Sequence, residues 1–121
     1  PLLPPVSANR RNIEVVVSNL ITNAIKYSPE GAAIHLAVSL ENDYLCITVK
    51  DTGLGMSADD LERIFDRFYR VKNEQTRYIT GTGLGLPIVK KIVQAHHGTI
   101  QAESEPGKGS TFRVYIPHVT E

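Results

Sequence analysis

The chain has 121 residues, a length that suits one domain with its own core. It is 41% hydrophobic and 21% charged, and 13 Lys and Arg balance 13 Asp and Glu. That balance argues against a nucleic-acid or membrane-surface module, and no apolar run is long enough to span a bilayer.

The start at Pro1-Leu-Leu-Pro-Pro has no Met and no signal-peptide pattern, and reads as a piece excised from a longer protein. Residues 1–8 are Pro-rich and extended, with a short edge strand expected around Val6. Asn9 is placed to cap a helix running to Tyr27. Ile13, Val16, Val17, Leu20 and Ala24 recur at helical spacing and give it a buried face. Ser28 to Gly31 is a turn. Residues 33–40 alternate as a strand does, 41–43 make a tight hairpin turn, and 44–50 form the next strand. Cys46, the single cysteine, lies in that apolar strand and reads as a buried free thiol. Asp51-Thr-Gly-Leu-Gly55 breaks the strand, and Ser57 caps a short helix from Ala58 to Phe65. Residues 70–82 are polar and weakly periodic, as a mobile loop is. A helix follows from Gly85 to His97, with Pro87 tolerated in its first turn and Gly98 at the C′ position. Residues 99–104 and 111–116 are strands joined by Glu105 to Gly109. The pattern is α+β: a two-layer α/β sandwich, with a mixed, mostly antiparallel sheet and helices on one face.

Several groups carry chemistry. Asn19, Asn23, Lys26 and Tyr27 fall on one stripe of the first helix. Amide oxygens suit a hard cation, an ammonium suits phosphate and a ring suits a base, although a polar outer face would look the same. Asp51 at a strand end offers an acceptor for an exocyclic amine, and Gly53 and Gly55 let backbone approach a flat ligand; a plain turn is the simpler alternative. Gly81-Thr82-Gly83-Leu84-Gly85 opens a helix, where backbone N–H groups bind phosphate, or it is only a hinge. Its spacing is not that of a dinucleotide fingerprint, and Gly107-Lys108 is not a Walker A loop. Arg67, Arg70, Lys72 and Arg77 make a basic neighbourhood, and the aromatics of Ile64-Phe65-Asp-Arg67-Phe68-Tyr69-Arg70 suit a core.

In this order the elements resemble the catalytic and ATP-binding domain of a sensor histidine kinase, in the GHKL superfamily, which has the Bergerat ATP-binding fold. The N box resembles Asn19 to Tyr27, the first glycine box Asp51 to Gly55, the F box Ile64 to Arg70, and the second glycine box Gly81 to Gly85. The closing Gly-x-Gly-Ser-Thr-Phe pattern is similar to Gly107 to Phe112. The likeness runs from Val6 to Pro117. It implies ATP and Mg²⁺ as cofactors, with Asn23 as the metal ligand and Asn19 beside it. Asn19, Lys26 and Arg70 would act at the phosphates. Tyr27 would pack on adenine, Asp51 would accept from its amino group, Gly53, Gly55 and Met56 would shape the base pocket, and Thr111 would reach adenine through water. Gly83, Leu84 and Gly85 would donate to the phosphates, with Gly81 and Thr82 in the same nucleotide-binding loop, and residues 70–82 would be an ATP lid.

The resemblance also implies a γ-phosphoryl transfer to a histidine on a separate upstream dimerisation domain of the same kinase, and a response regulator beyond it. It implies a cytoplasmic, monomeric domain without nucleic-acid or direct membrane contact, in an intact kinase that is either soluble or anchored. His35, His96, His97 and His118 lack the context of a phospho-acceptor. Two alternatives remain. Hydrolysing ATPases of the superfamily, such as gyrase and MutL, carry a Glu where this chain has Asn19, and an amide is a poor general base. A degenerate, non-catalytic docking module is the other, against which Asn23, Asp51 and the glycine loops stand.

Overall fold

The computed structural model describes residues 10–28, 32–66, 69 and 85–117. Helix α1 spans Arg10–Lys26, and strands β1 (Ile34–Glu41) and β2 (Tyr44–Asp51) form a hairpin after it. Its two-residue turn holds Asn42 and Asp43 at φ 50° and 66°, conformations that Asn and Asp tolerate better than other non-glycine residues. The short helix α2 spans Ala58–Arg63, two residues less than expected. Ser57 caps it: its Oγ accepts from the Asp60 N–H at 3.2 Å. Helix α3 spans Gly85–Ala95, and β3 (Thr99–Glu105) and β4 (Gly109–Pro117) form a second hairpin.

The strands pair in the order β1-β2-β4-β3. All three pairings are antiparallel, so the mixed character expected from sequence is absent among the described residues. The strand expected around Val6 lies outside them.

Alternation decides the two faces of the sheet. Leu45, Ile47 and Val49 of β2 and Phe112, Val114 and Ile116 of β4 point to one side. There they meet Val16, Leu20 and Ala24 of α1 and Val89 and Val93 of α3 in one cluster. Each such side chain contributes about 1.5–3 kcal/mol on burial, so this cluster holds the two layers together. Cys46 lies on the opposite face, between Ser39 and Tyr115 in register, yet it is only 8% exposed. Burial pushes its thiol pKa up, with the Glu41 carboxylate adding to the shift, so the thiol is a weak nucleophile. β1 pairs with β2 alone among the described strands, and its helix-facing Leu36 and Val38 stay 47% and 43% exposed.

The end of α3 differs from expectation. His97, not Gly98, takes the left-handed conformation, with φ 59°. Its N–H donates to the Gln94 carbonyl at 3.0 Å, and the Gly98 N–H to that of Val93 at 2.9 Å, the two bonds of a Schellman cap with His97 at C′. Gly98 is needed for a different reason: a Cβ there would stand 2.2 Å from the Tyr115 carbonyl oxygen.

Candidate nucleotide site

Two junctions make up the site: α3 begins beside Asn19 of α1, and the turn after β2 runs between the end of α1 and the β3–β4 hairpin. On α1, Val16, Leu20 and Ala24 are buried, while Asn19 and Asn23, one position back on each turn, are half-buried on the flank of that line. The Asn19 amide N–H donates to the Val15 carbonyl at 3.0 Å, which aims its oxygen away from its own helix. That oxygen faces the first residue of α3: a Cβ on Gly85 would stand 3.2 Å from it. A shallow groove lined by Arg11, Glu14, Val15, Ser18 and Asn19 runs beside α1. Lys26 is exposed at the last turn and Tyr27 is half-buried just beyond it.

The first glycine turn leans on the end of α1. The Leu54 N–H donates to the Tyr27 carbonyl at 3.0 Å, and a Cβ on Gly53 would stand 2.3 Å from that oxygen. Only a residue without a side chain allows this approach. On its other side the turn meets the β3–β4 hairpin. Gly55 has φ 70°, and a Cβ on it would lie 1.9 Å from the Glu105 carbonyl oxygen. The Gly107 N–H donates to the Leu54 carbonyl at 2.7 Å, and the Met56 N–H to Ser104 Oγ at 2.7 Å.

Asp51 lies at the centre and is 5% exposed. Its Oδ1 accepts from the Gly53 N–H at 2.9 Å and the Ser110 N–H at 3.3 Å. Oδ2 takes no part in those bonds and is open to another donor. Ser110 is a residue that sequence reasoning missed. It pairs with Asp51 across β4 and β2 and is buried on the helix-facing side with Phe112. Thr111 is the next residue along, so strand alternation turns it to the other face, in register with Lys50 and Glu103. Thr111, expected to reach adenine, therefore faces away from Asp51, and Ser110 is the residue that lies beside it. Counting alternate residues back from Phe112 would have found it.

The F-box end of α2 is tied down twice. Lys90 Nζ lies 5.4 Å above the Phe65 ring, and the Tyr69 hydroxyl donates to Asp60. That bond, to a carboxylate, holds the Tyr69 pKa above its usual value. Arg67, Phe68, Arg70, the lid at 70–82 and Gly81, Thr82, Gly83 and Leu84 lie outside the described residues.

No group of three or more His, Cys, Asp or Glu side chains is placed to hold a metal among the described residues. The candidate metal donors on α1 are the amide oxygens of Asn19 and Asn23. They fit Mg²⁺ only as it is held beside a nucleotide, by one or two protein oxygens, phosphate oxygens and water.

A family model described as histidine kinase-, DNA gyrase B-, and HSP90-like ATPase matches residues 8–120. Over 118 residues the chain is 46% identical to the sensor histidine kinase WalK of Bacillus subtilis, covering 96% of this chain and 19% of that protein. Its fold is similar to the mycobacterial sensor histidine kinase MprB (TM-score 0.82, 25% identity, 96% of this chain and 78% of the other). It is also similar to full-length ShkA in complex with AMPPNP (TM-score 0.80, 29% identity, 98% of this chain and 24% of the other). The chain thus spans about a fifth of the length of its curated relative.

Proposed function

Because the chain belongs to the family of histidine kinase-, DNA gyrase B- and HSP90-like ATPases, we propose that it is the ATP-binding catalytic domain of a sensor histidine kinase. The observation that carries this reading is the close approach of Asn19 on α1 to Gly85 at the start of α3. It brings Asn19 of the first helix to the N-terminus of α3, whose backbone N–H groups suit phosphate.

In this reading Asn23 supplies an amide oxygen to Mg²⁺, Lys26 and Arg70 meet the phosphates, and Gly83, Leu84 and Gly85 donate backbone N–H groups to them. Mg²⁺, when bound with ATP, neutralises charge on the phosphate oxygens. Asp51 Oδ2 accepts from the adenine amino group, with Tyr27, Gly53, Gly55 and Met56 around the ring and Ser110 beside Asp51. The AMPPNP complex of ShkA, an ATP analogue on a similar fold, supports an ATP site here. The γ-phosphate goes to a histidine on a separate dimerisation domain of the same kinase, and a response regulator receives it afterwards. Phosphoryl transfer needs mainly positioning and charge stabilisation, so an acceptor supplied by another domain suffices. Hydrolysis would need a base near the attacking water, and the Asn19 amide is bonded to its own helix backbone and offers none. No described helix is long and apolar enough to cross a membrane. The reading places the domain in the cytoplasm.

The chain should bind ATP·Mg²⁺, hydrolyse it slowly and leave itself unphosphorylated. Added to a dimerisation domain from a related kinase as a separate polypeptide, it should yield acid-labile phosphohistidine on that partner, and Asn23→Ala should abolish the transfer. Label from γ-³²P-ATP on this chain alone, or brisk phosphate release without the partner, would overturn the kinase reading in favour of the hydrolase.

A further inference from the structure

On three neighbouring strands the helix-facing side is apolar until its last position. β2 carries Leu45, Ile47 and Val49 and then Asp51, β4 carries Ile116, Val114 and Phe112 and then Ser110, and β3 carries Ile100 and Ala102 and then Ser104. Register sets Asp51 opposite Ser110 and Ser110 opposite Ser104, so the three polar residues form one row under the first glycine turn.

The hydrogen bonds of this row have a direction. Ser104 Oγ donates to the Gly109 carbonyl at 2.9 Å, accepts from the Met56 N–H at 2.7 Å and lies 2.8 Å from Ser110 Oγ. A serine has one proton to give, a carbonyl only accepts and a backbone N–H only donates. With the Ser104 proton committed to Gly109, the proton between the two hydroxyls comes from Ser110. Ser110 Oγ then offers lone pairs and no donor. The Asp51 carboxylate beside it also only accepts.

We infer that Ser104 is a specificity-determining positioning residue. By taking up the Ser110 proton it makes the floor of the base pocket an all-acceptor surface, which suits a base edge with an amino group and rejects one with a carbonyl. The inference rests on the proposed nucleotide site and names how that site tells 6-amino from 6-oxo purines. Ser104 acts through Ser110 and Met56, not on the nucleotide itself. Without it, the Ser110 hydroxyl turns freely and can donate to a ring carbonyl. If Ser104 only held the β3–β4 hairpin to the glycine turn, its loss would weaken both kinds of nucleotide alike.

The test is calorimetric titration of the chain with ATP and with inosine triphosphate, both with Mg²⁺. The wild type should prefer ATP. Ser104→Ala should narrow the ATP-to-inosine-triphosphate ratio about two- to tenfold, the range of one hydrogen bond, and Ser104→Thr, which keeps the hydroxyl, should restore it. Ser110→Ala should narrow the ratio too, and Ser104→Ala added to it should change nothing more. An unchanged ratio in a folded Ser104→Ala protein, or equal weakening of both nucleotides, overturns the inference and leaves the site standing. A wild type that binds neither nucleotide overturns the site itself. Should Ser104→Ala fail to fold, Ser110→Ala decides, and an unchanged ratio there is equally fatal.

Discussion

Ser110 sits directly opposite Asp51, and its backbone N–H donates to the same carboxylate oxygen that the Gly53 N–H reaches. One oxygen of Asp51 thus clamps the start of β4 and the first glycine turn together, and the other takes no part in those bonds. Structure and binding therefore separate in substitutions. Asp51→Asn keeps an acceptor oxygen for the two N–H groups but puts a donor where an amino group would dock. ATP affinity should fall about ten- to a hundredfold, the worth of a hydrogen bond to a charged group of roughly 1.5–3 kcal/mol. Asp51→Ala leaves two buried N–H groups without a partner and should also lower stability, by about 1–3 kcal/mol for each. Titration with an ATP analogue and urea unfolding measure the two effects, and an unchanged dissociation constant in folded Asp51→Asn would remove Asp51 from the site.

Gly55 and Gly107 both hold positive φ, at 70° and 80°, but in different surroundings. A Cβ at Gly107 meets nothing within 4 Å, so Gly107→Ala should cost only the left-handed strain, about 1–2 kcal/mol. At Gly55 the same atom runs into the Glu105 backbone. Gly55→Ala should cost more than Gly107→Ala in urea unfolding, and should lower nucleotide affinity as well, because the hairpin must move off the glycine turn. Equal stabilities for the two variants would contradict the packing of turn against hairpin.

The C′ position of α3 carries a strained side chain. His97→Gly removes the Cβ from a left-handed residue while keeping both bonds of the cap. The variant should be more stable by about 0.5–1 kcal/mol, a rise in Tm of roughly 2–5 °C for a chain of this size. A melting curve followed by circular dichroism checks it, and a fall in Tm would mean that the imidazole makes a compensating contact.

Tyr69 ties the end of the F box to α2 through Asp60, and this bond raises its pKa above 10.0. The neutral phenol is the form favoured in the folded state. Its contribution to stability is therefore fully present below the unfolded value of 10.0 and is lost as pH rises through the higher folded value. Tyr69→Phe should lower stability at pH 7 by about 0.5–1.5 kcal/mol, the net worth of one hydrogen bond. The gap between variant and wild type should close above pH 10. Urea unfolding at pH 7, 9 and 11 would show this, and a gap that persisted at high pH would assign the effect to packing.

Much of the architecture was legible because it is local. The recurrence of Val16, Leu20 and Ala24 marks the buried face of α1 within one segment, and the same turn-by-turn count puts Asn19 and Asn23 on its flank. Asp51 at a strand end and glycines at 53, 55 and 85 likewise mark places where backbone must come close to something. What they come close to is not written locally. Gly53 meets Tyr27, Gly55 meets Glu105 and Gly85 meets Asn19, and each partner lies far along the chain.

The sequence by itself determined the order and type of the elements, since periodicity, caps and glycine clusters act within a few residues, and it marked the residues proposed for nucleotide binding. Only the tertiary structure decided which side chains face the site. The choice of Ser110 over Thr111 depends on the register of β4 against β2, set by pairing between segments 59 residues apart. The left-handed residue at the end of α3 is His97, while Gly98 serves to let the Tyr115 carbonyl pass. Register and close approach are properties of two segments at once, and a single stretch of sequence carries only half of each.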